Sequence, residues 1–279
     1  MLSLHTNAAA LSTQSSLGST QRALSTSMSR LGTGLRVNSA MDDAAGLQIA
    51  TRLNAQTRGM AVAQRNTQNG ISMLQTAEGA LNEVSNIVLR MKDLATEASN
   101  ATSNADDKTA MDKEFQALSS ELNNIMSNTK FGGQALFSGA GATLAAAASF
   151  QIGSDAAEVY AFNSSASLAA ATGAQATLTG GNVSTAGTAT TAITNANSML
   201  DKIGALRAEL GAGANRLDHV YNNLQNMKTN VSQAKGRIMD VDYATETSNM
   251  TTKQMLMQAS SAMLKQSNSM SGMVMSLLQ

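Results

Sequence analysis

The residues able to do chemistry in this chain are few and scattered. His5 and His219 are the two histidines, too few and too far apart in sequence to build a metal cluster, and lone surface or interface histidines account for both. There is no cysteine, which excludes thiolate metal sites, disulfides and cysteine nucleophiles. The pairs Asp42-Asp43 and Asp106-Asp107 have the composition of paired hydrolytic acids, but no base or nucleophile accompanies either, and helix capping explains them. Gly32-Thr33-Gly34 is a bare Gly-x-Gly that follows no strand, so a nucleotide loop is not indicated. Asn182-Val183-Ser184 is a glycosylation-type triplet of the kind a chain rich in Asn, Ser and Thr produces by chance. The methionines near the C-terminus suit deformable packing better than copper ligation. No enzyme, metal site or cofactor is expected.

Composition points toward long helices. Nineteen basic residues balance nineteen acidic ones, which removes any electrostatic case for nucleic acid or an anionic membrane as partner. Proline and tryptophan are absent, while methionine reaches eighteen. With no proline to break them, helices can run long, and their interiors must be aliphatic. The longest apolar run, Leu144 to Ala148, is far short of the roughly 20 residues that span a bilayer. No cleavable secretory leader is readable at the start, so an exported product is expected to use another route.

Apolar spacing supplies the elements. One register runs Leu74, Leu81, Val88, Ala95, with Ala77, Val84, Met91 and Ala98 three residues later in each heptad. A second runs Ile203, Leu210, Leu217, Leu224, Val231, Ile238, with Leu206, Val220, Met227 and Ala234, and Gly213 as its weak place. Sustained spacing of this kind predicts coiled-coil-like pairing, and the simplest partner of each long helix is the other. Met111, Phe115, Leu118, Leu122 and Ile125 predict a shorter amphipathic helix. Both ends repeat the pattern. Leu17, Leu24 and Leu31 lie seven apart, as do Leu256, Met263, Met270 and Leu277, beside a parallel row through Met257 and Leu264. An isolated monomer would leave these stripes exposed, so they look built for a partner.

Between the helices, Asn38, Ser39 or Asp42 is expected to cap a new helix, and residues 99–110 form a polar break. Phe131-Gly132-Gly133 ends the helical first half, and Ser149 to Phe162 predicts a hairpin around a Gly-Ser-Asp turn. Residues 163–190, nearly all Ala, Ser, Thr and Gly, read as a loosely ordered surface insert, its hydroxyls plausible O-glycosylation sites.

These same residues resemble a family. "RLGTGLRVNSAMDDAAG" at 30–46, "ISMLQTAEGALNEV" at 71–84, "RIMDVDYATETSNM" at 237–250 and the closing "SLLQ" are similar to the signature blocks of bacterial flagellins, and the resemblance covers roughly 1–162 and 191–279. It implies a terminal helical pair, residues 1–43 with 238–279, lining the inner tube of a filament. It further implies a helical rod domain of 44–162 plus 191–237, with 163–190 a short surface insert replacing outer domains. The fold class expected is mainly α, long antiparallel coiled-coil-like helices forming a rod with one small β-hairpin region. One departure is Met270-Ser271-Gly272, where that family commonly carries a proline.

The function implied is a self-assembling subunit of the extracellular flagellar filament, a homopolymer that serves motility. Partners implied are a flagellar export chaperone acting before type III export, the filament cap and junction proteins, and Toll-like receptor 5 of a host. The receptor contact falls on Arg90 and Leu94 in "LRMKDLATEA" and on Glu114 in "MDKEF". Polymerisation is assigned to Leu17, Leu24, Leu31, Leu256, Met263, Leu264, Met270 and Leu277. The nearest alternative is a hook–filament junction protein with the same terminal plan, and a plain coiled-coil binding module is more distant. Flagellin should seed into long filaments, whereas a junction protein should stop at a few subunits.

Overall fold

The computed structural model describes residues 7–139 and 141–276. Among them are six α-helices and four short strands, so the mainly α expectation holds. The chain forms two compact units, residues 57–228 and residues 1–56 with 229–279. These divide inside two long helices, α2 (Ala44–Ala98) and α5 (Ala186–Met239), rather than at the loops preceding and following them.

In the 57–228 unit, α2 and α5 run antiparallel. Arg207 of α5 donates to Glu78 of α2 at 2.7 Å, and Gln64 donates to Gln225 at 2.7 Å. Most of the heptad positions read from the sequence form the seam: Leu74, Leu81, Val88 and Ala95 are buried, and Ile203, Leu206, Leu210, Leu217 and Leu224 join them in the core, whereas Met227 is exposed. Helix α3 (Ala105–Asn128) opens on a capping box in which Asn104 and Asp107 exchange bonds, and it contributes Phe115, Leu122 and Met126. Asp107 thus has a capping role, and Asp106 lies beside it in the first turn, where the helix dipole favours a negative charge.

Residues 163–190 are not a loose insert. Ser165–Thr179 form a helix, α4, whose Leu168, Ala171 and Leu178 are buried in the same core. Composition misled because alanine is at once the best helix former and small enough to let helices approach closely. Helix α3 also supplies matching polar groups. Gln116 donates to the Gly181 carbonyl at 2.9 Å, Ser119 donates to the Thr179 carbonyl at 3.2 Å, and Asp112 accepts from the Val183 N–H at 2.8 Å.

Two hairpins are present where one was expected. Strands β1 (Lys130–Phe131) and β2 (Gln134–Ala135) pair across Gly132-Gly133, both at positive φ (57° and 86°), the two-residue turn that suits strand twist. The expected hairpin is β3 (Ala148–Gln151) with β4 (Val159–Phe162), Phe150 opposite Tyr160. Its aromatic residues land on helical glycines. A Cβ on Gly70 would lie 3.0 Å from the Phe150 ring, and one on Gly213 would lie 2.7 Å from the Phe162 ring. Gly213 is therefore a socket in the α5 seam and not its weak place. Arg216 covers the Tyr160 ring at 4.4 Å.

In the terminal unit, α1 (Ala8–Thr33) and α6 (Tyr243–Ser276) run antiparallel: Asn7 donates to the Ser267 carbonyl at 3.1 Å, and Arg30 lies 3.9 Å from Glu246. Gly34, left-handed at φ 73°, ends α1. Beyond it the Arg36 N–H donates to the Met239 carbonyl at 2.6 Å, and the Val241 N–H donates to the Gly34 carbonyl at 3.0 Å. Val37, Ala50 and Met239 make a small core beside this bridge. The cap of α2 is Asp43, which accepts from the Gly46 N–H at 2.8 Å, and none of the three residues expected. Asp42 instead accepts from the N–H groups of Asn38 and Ser39 and ties the loop.

Candidate assembly surface

Helix α6 presents three faces, and their chemistry differs. The seam toward α1 is the half-buried row Met250, Lys253, Met257, Ser260, Leu264, Ser267, alternating four and three residues apart, with Glu246 buried ahead of it. On α1 the matching row includes Leu17, Leu24, Ser27 and Leu31. One flank of α6 is polar and exposed: Gln254, Gln258, Ser261, Lys265, Asn268. The other is exposed and mainly apolar, formed by Met255, Leu256, Ala259, Ala262, Met263 and Met270, with Thr252 and Gln266 between them. Met263 keeps 65% of its surface open.

The polymerisation residues read from the sequence thus fall into two sets. Leu17, Leu24, Leu31 and Leu264 are spent on the α1–α6 seam of one molecule, while Leu256, Met263 and Met270 stand on the open apolar flank. Leu277 lies outside the described residues, as do Leu4 and His5. Periodicity had found the stripe but not its split, because rows one residue apart share a heptad period and differ only in direction. Met255, Ala259 and Ala262, which widen the open flank, lie four and three residues apart, a helical spacing the sequence reading did not take up.

Charge is concentrated at the end of the pair. The Arg30 guanidinium lies 4.0 Å from Asp42 and 3.9 Å from Glu246, and its Nε is buried without an acceptor among the described residues. Backbone N–H groups of Ser39 and Asn38 hold the Asp42 carboxyl below the usual carboxylate range. Asp242 is likewise lowered by the Thr245 hydroxyl and by the N–H groups of Thr245 and Ala244, which it caps at the start of α6.

The second patch is on the other unit. Arg90 donates through Nε and a terminal nitrogen to one Glu114 oxygen, at 2.9 and 2.6 Å, and that carboxylate holds the guanidinium more strongly protonated. The sequence had placed these two residues together with Leu94, and the structure separates them. Leu94 is only 2% exposed and belongs to the core, while Arg90 and Glu114 keep about half of their side chains open. Leu94 is corrected from a surface contact to a core residue. His219 is exposed on α5, and Asn182 accepts from the Ser184 hydroxyl at 3.0 Å. No described helix is long and apolar enough to cross a membrane.

Comparison with known proteins adds a family. Residues 4–142 match the bacterial flagellin N-terminal helical region, and residues 190–278 match the bacterial flagellin C-terminal helical region. Flagellin C of Vibrio cholerae is 46% identical over 162 residues, which is 58% of this chain and 42% of that protein. Flagellin A of Vibrio anguillarum is 48% identical over 157 residues, 56% of this chain and 40% of that protein. The matched stretch is thus under half the length of these relatives. Among solved structures, Bacillus cereus flagellin is 38% identical with a TM-score of 0.50, covering 61% of this chain and 94% of that one.

Proposed function

Because the chain belongs to the bacterial flagellin family, we propose that it is a structural subunit that polymerises with copies of itself into the flagellar filament. The observation that carries the reading is the open apolar flank of α6, lying beside a seam already filled by α1. Exposed contiguous apolar surface of that kind marks an association site. Contacts between unlike surfaces that do not close into a ring extend into a helical polymer. The balanced net charge sets no long-range repulsion against close packing of copies.

Further steps follow from the same reading. Before export through the flagellar type III channel, a chaperone covers the open flank of α6, which would otherwise aggregate; loss of affinity on deleting residues 243–276 is the expected result. Outside the cell the filament joins cap and junction proteins. For Toll-like receptor 5, the exposed Arg90–Glu114 pair is the contact, Leu94 being buried in the core. Unchanged reporter-cell signalling by monomeric Arg90→Ala would remove that contact.

Met263→Asp tests assembly itself. The side chain makes little intramolecular contact, so the melting of both units should stay as in the parent chain. Seeded growth, viewed by electron microscopy, should stop because each added copy would bury an unpaired carboxylate. Filaments of normal length from Met263→Asp would refute the assignment of this flank. Short, self-limiting oligomers from the unmutated chain would favour a junction protein.

A further inference from the structure

Two sets of methionines stand in contrast among the described residues. Met60, Met91, Met126 and Met199 are almost completely buried in the core of the 57–228 unit. Met255, Met263 and Met270 have 58%, 65% and 51% of their surface open, and all three stand on the apolar flank of α6. The other side chains on that flank, Leu256, Ala259 and Ala262 with Thr252 and Gln266 between them, carry no atom that peroxide readily oxidises. We propose that the thioethers of Met255, Met263 and Met270 form an oxidant-sensitive modification site, whose conversion to sulfoxides switches off the association of one copy with the next. The proposal rests on the reading of this flank as the self-association surface.

The chemistry requires a peroxide-class oxidant. The sulfur lone pair attacks one peroxide oxygen and the O–O bond breaks. Sulfur loses two electrons and keeps that oxygen, while the other oxygen takes up the displaced proton and leaves as water. A flexible apolar side chain becomes a polar one with a strong acceptor. Association would then bury strongly polar sulfoxide oxygens on a mainly aliphatic surface, at the desolvation cost of a polar group. Accessibility decides which sulfurs react, so the core methionines should be spared while the flank is modified. Once a neighbouring copy covers the flank, its sulfurs should be shielded too. The exposed Met28 and Met41 provide an internal comparison, because they belong to α1 and to the loop before α2 and not to α6.

The experiment treats the full-length monomer with dilute hydrogen peroxide, maps sulfoxides by peptide mass, and then measures seeded assembly by sedimentation. Met255, Met263 and Met270 should gain oxygen under conditions that leave Met91 and Met126 unmodified. The critical concentration should rise by roughly tenfold or more. Treatment with methionine sulfoxide reductases for both epimers should restore it. The triple variant Met255→Leu, Met263→Leu, Met270→Leu should assemble and lose its sensitivity to peroxide, whereas Met28→Leu with Met41→Leu should keep it. Should the triple variant fail to assemble, reductase reversal on the unmutated chain decides the question. Normal assembly of chains oxidised at all three positions would overturn the proposal, as would peroxide inhibition of a triple variant that assembles. Failure of the untreated chain to assemble would instead overturn the self-association reading, and the proposal with it.

Discussion

Helical glycines usually weaken a helix, and replacing one by alanine in α5 should stabilise it by about 1 kcal/mol on propensity alone. Gly204 meets that condition, since nothing lies within 4 Å of where its Cβ would sit. Gly213, on the same helix, should behave in the opposite way. Its Cβ would approach Phe162 at 2.7 and 2.9 Å and Leu74 at 3.3 Å. Phe162 is buried and pinned by strand pairing with Ala148, so the ring has little freedom to retreat. Overpacking of this kind costs about 1–3 kcal/mol. Set against the propensity gain, Gly213→Ala should lose about 1 kcal/mol while Gly204→Ala gains about as much. In a unit of this size each kcal/mol moves the midpoint by about 2–4 °C. Thermal and urea melts followed by circular dichroism should therefore shift in opposite directions. Phe162→Leu, which leaves space at the socket, should make Gly213→Ala favourable in that background. Equal stabilisation by both alanines would refute the packing of the hairpin on α5.

Three further outcomes follow. Leu178→Ala should cost about 2–5 kcal/mol in the 57–228 unit, measured by urea unfolding, because α4 belongs to the core; a surface insert would show almost no change. Asp42 and Asp242 have lowered folded-state values, so the stability they lend is present above the ordinary carboxylate range and lost as pH falls through their lower folded values. In Asp42→Asn with Asp242→Asn the helicity of the terminal unit should be reduced near neutral pH and should show less of that acid loss, as a circular dichroism titration would record.

Much of the fold was legible because heptad spacing determines direction within a helix. Leu74, Leu81, Val88 and Ala95 were assigned to a seam from spacing alone, and all are buried. The β3–β4 hairpin was visible through its aromatic residues and its Gly-Ser-Asp turn. What escaped were features that depend on a neighbour. A glycine in a helical pattern does not announce whether a ring lies against it, so Gly213 read as a defect. The alanines of α4 carried too little hydrophobicity to predict burial, since their value lies in letting helices approach. For the terminal stripes, sequence could not say which row α1 would cover. Leu264 and Leu256 have equal claim on paper, and the pairing with α1 alone separates them.

The terminal pair differs from the rest in how thinly it is packed, and this leads to a last prediction. On α1 only Leu24 and Ser27 are buried, and the seam of α6 includes Lys253, Ser260 and Ser267 among its half-buried positions. The small core of Val37, Ala50 and Met239 sits at one end of this unit, leaving most of both helices supported by alternating aliphatic and hydroxyl side chains. Isolated helices are marginal in water, and tertiary packing of an apolar face normally holds them. Here part of that apolar surface, the Leu256–Met263–Met270 flank, is still open. Folding of α1 and α6 should therefore be coupled to association, with each new copy supplying the burial that the single molecule lacks. Trypsin offers a direct reading, because cleavable residues occur in both units. In the monomer, Arg22, Lys253 and Lys265 should be cut long before Lys92 and Arg207. In seeded polymer the first three should become resistant. The Met263→Asp chain should keep the monomer pattern at every concentration, since its flank is denied a partner. Equal resistance of Lys253 and Arg207 in the free monomer would show that the thin α1–α6 seam suffices by itself, and the coupling would fail.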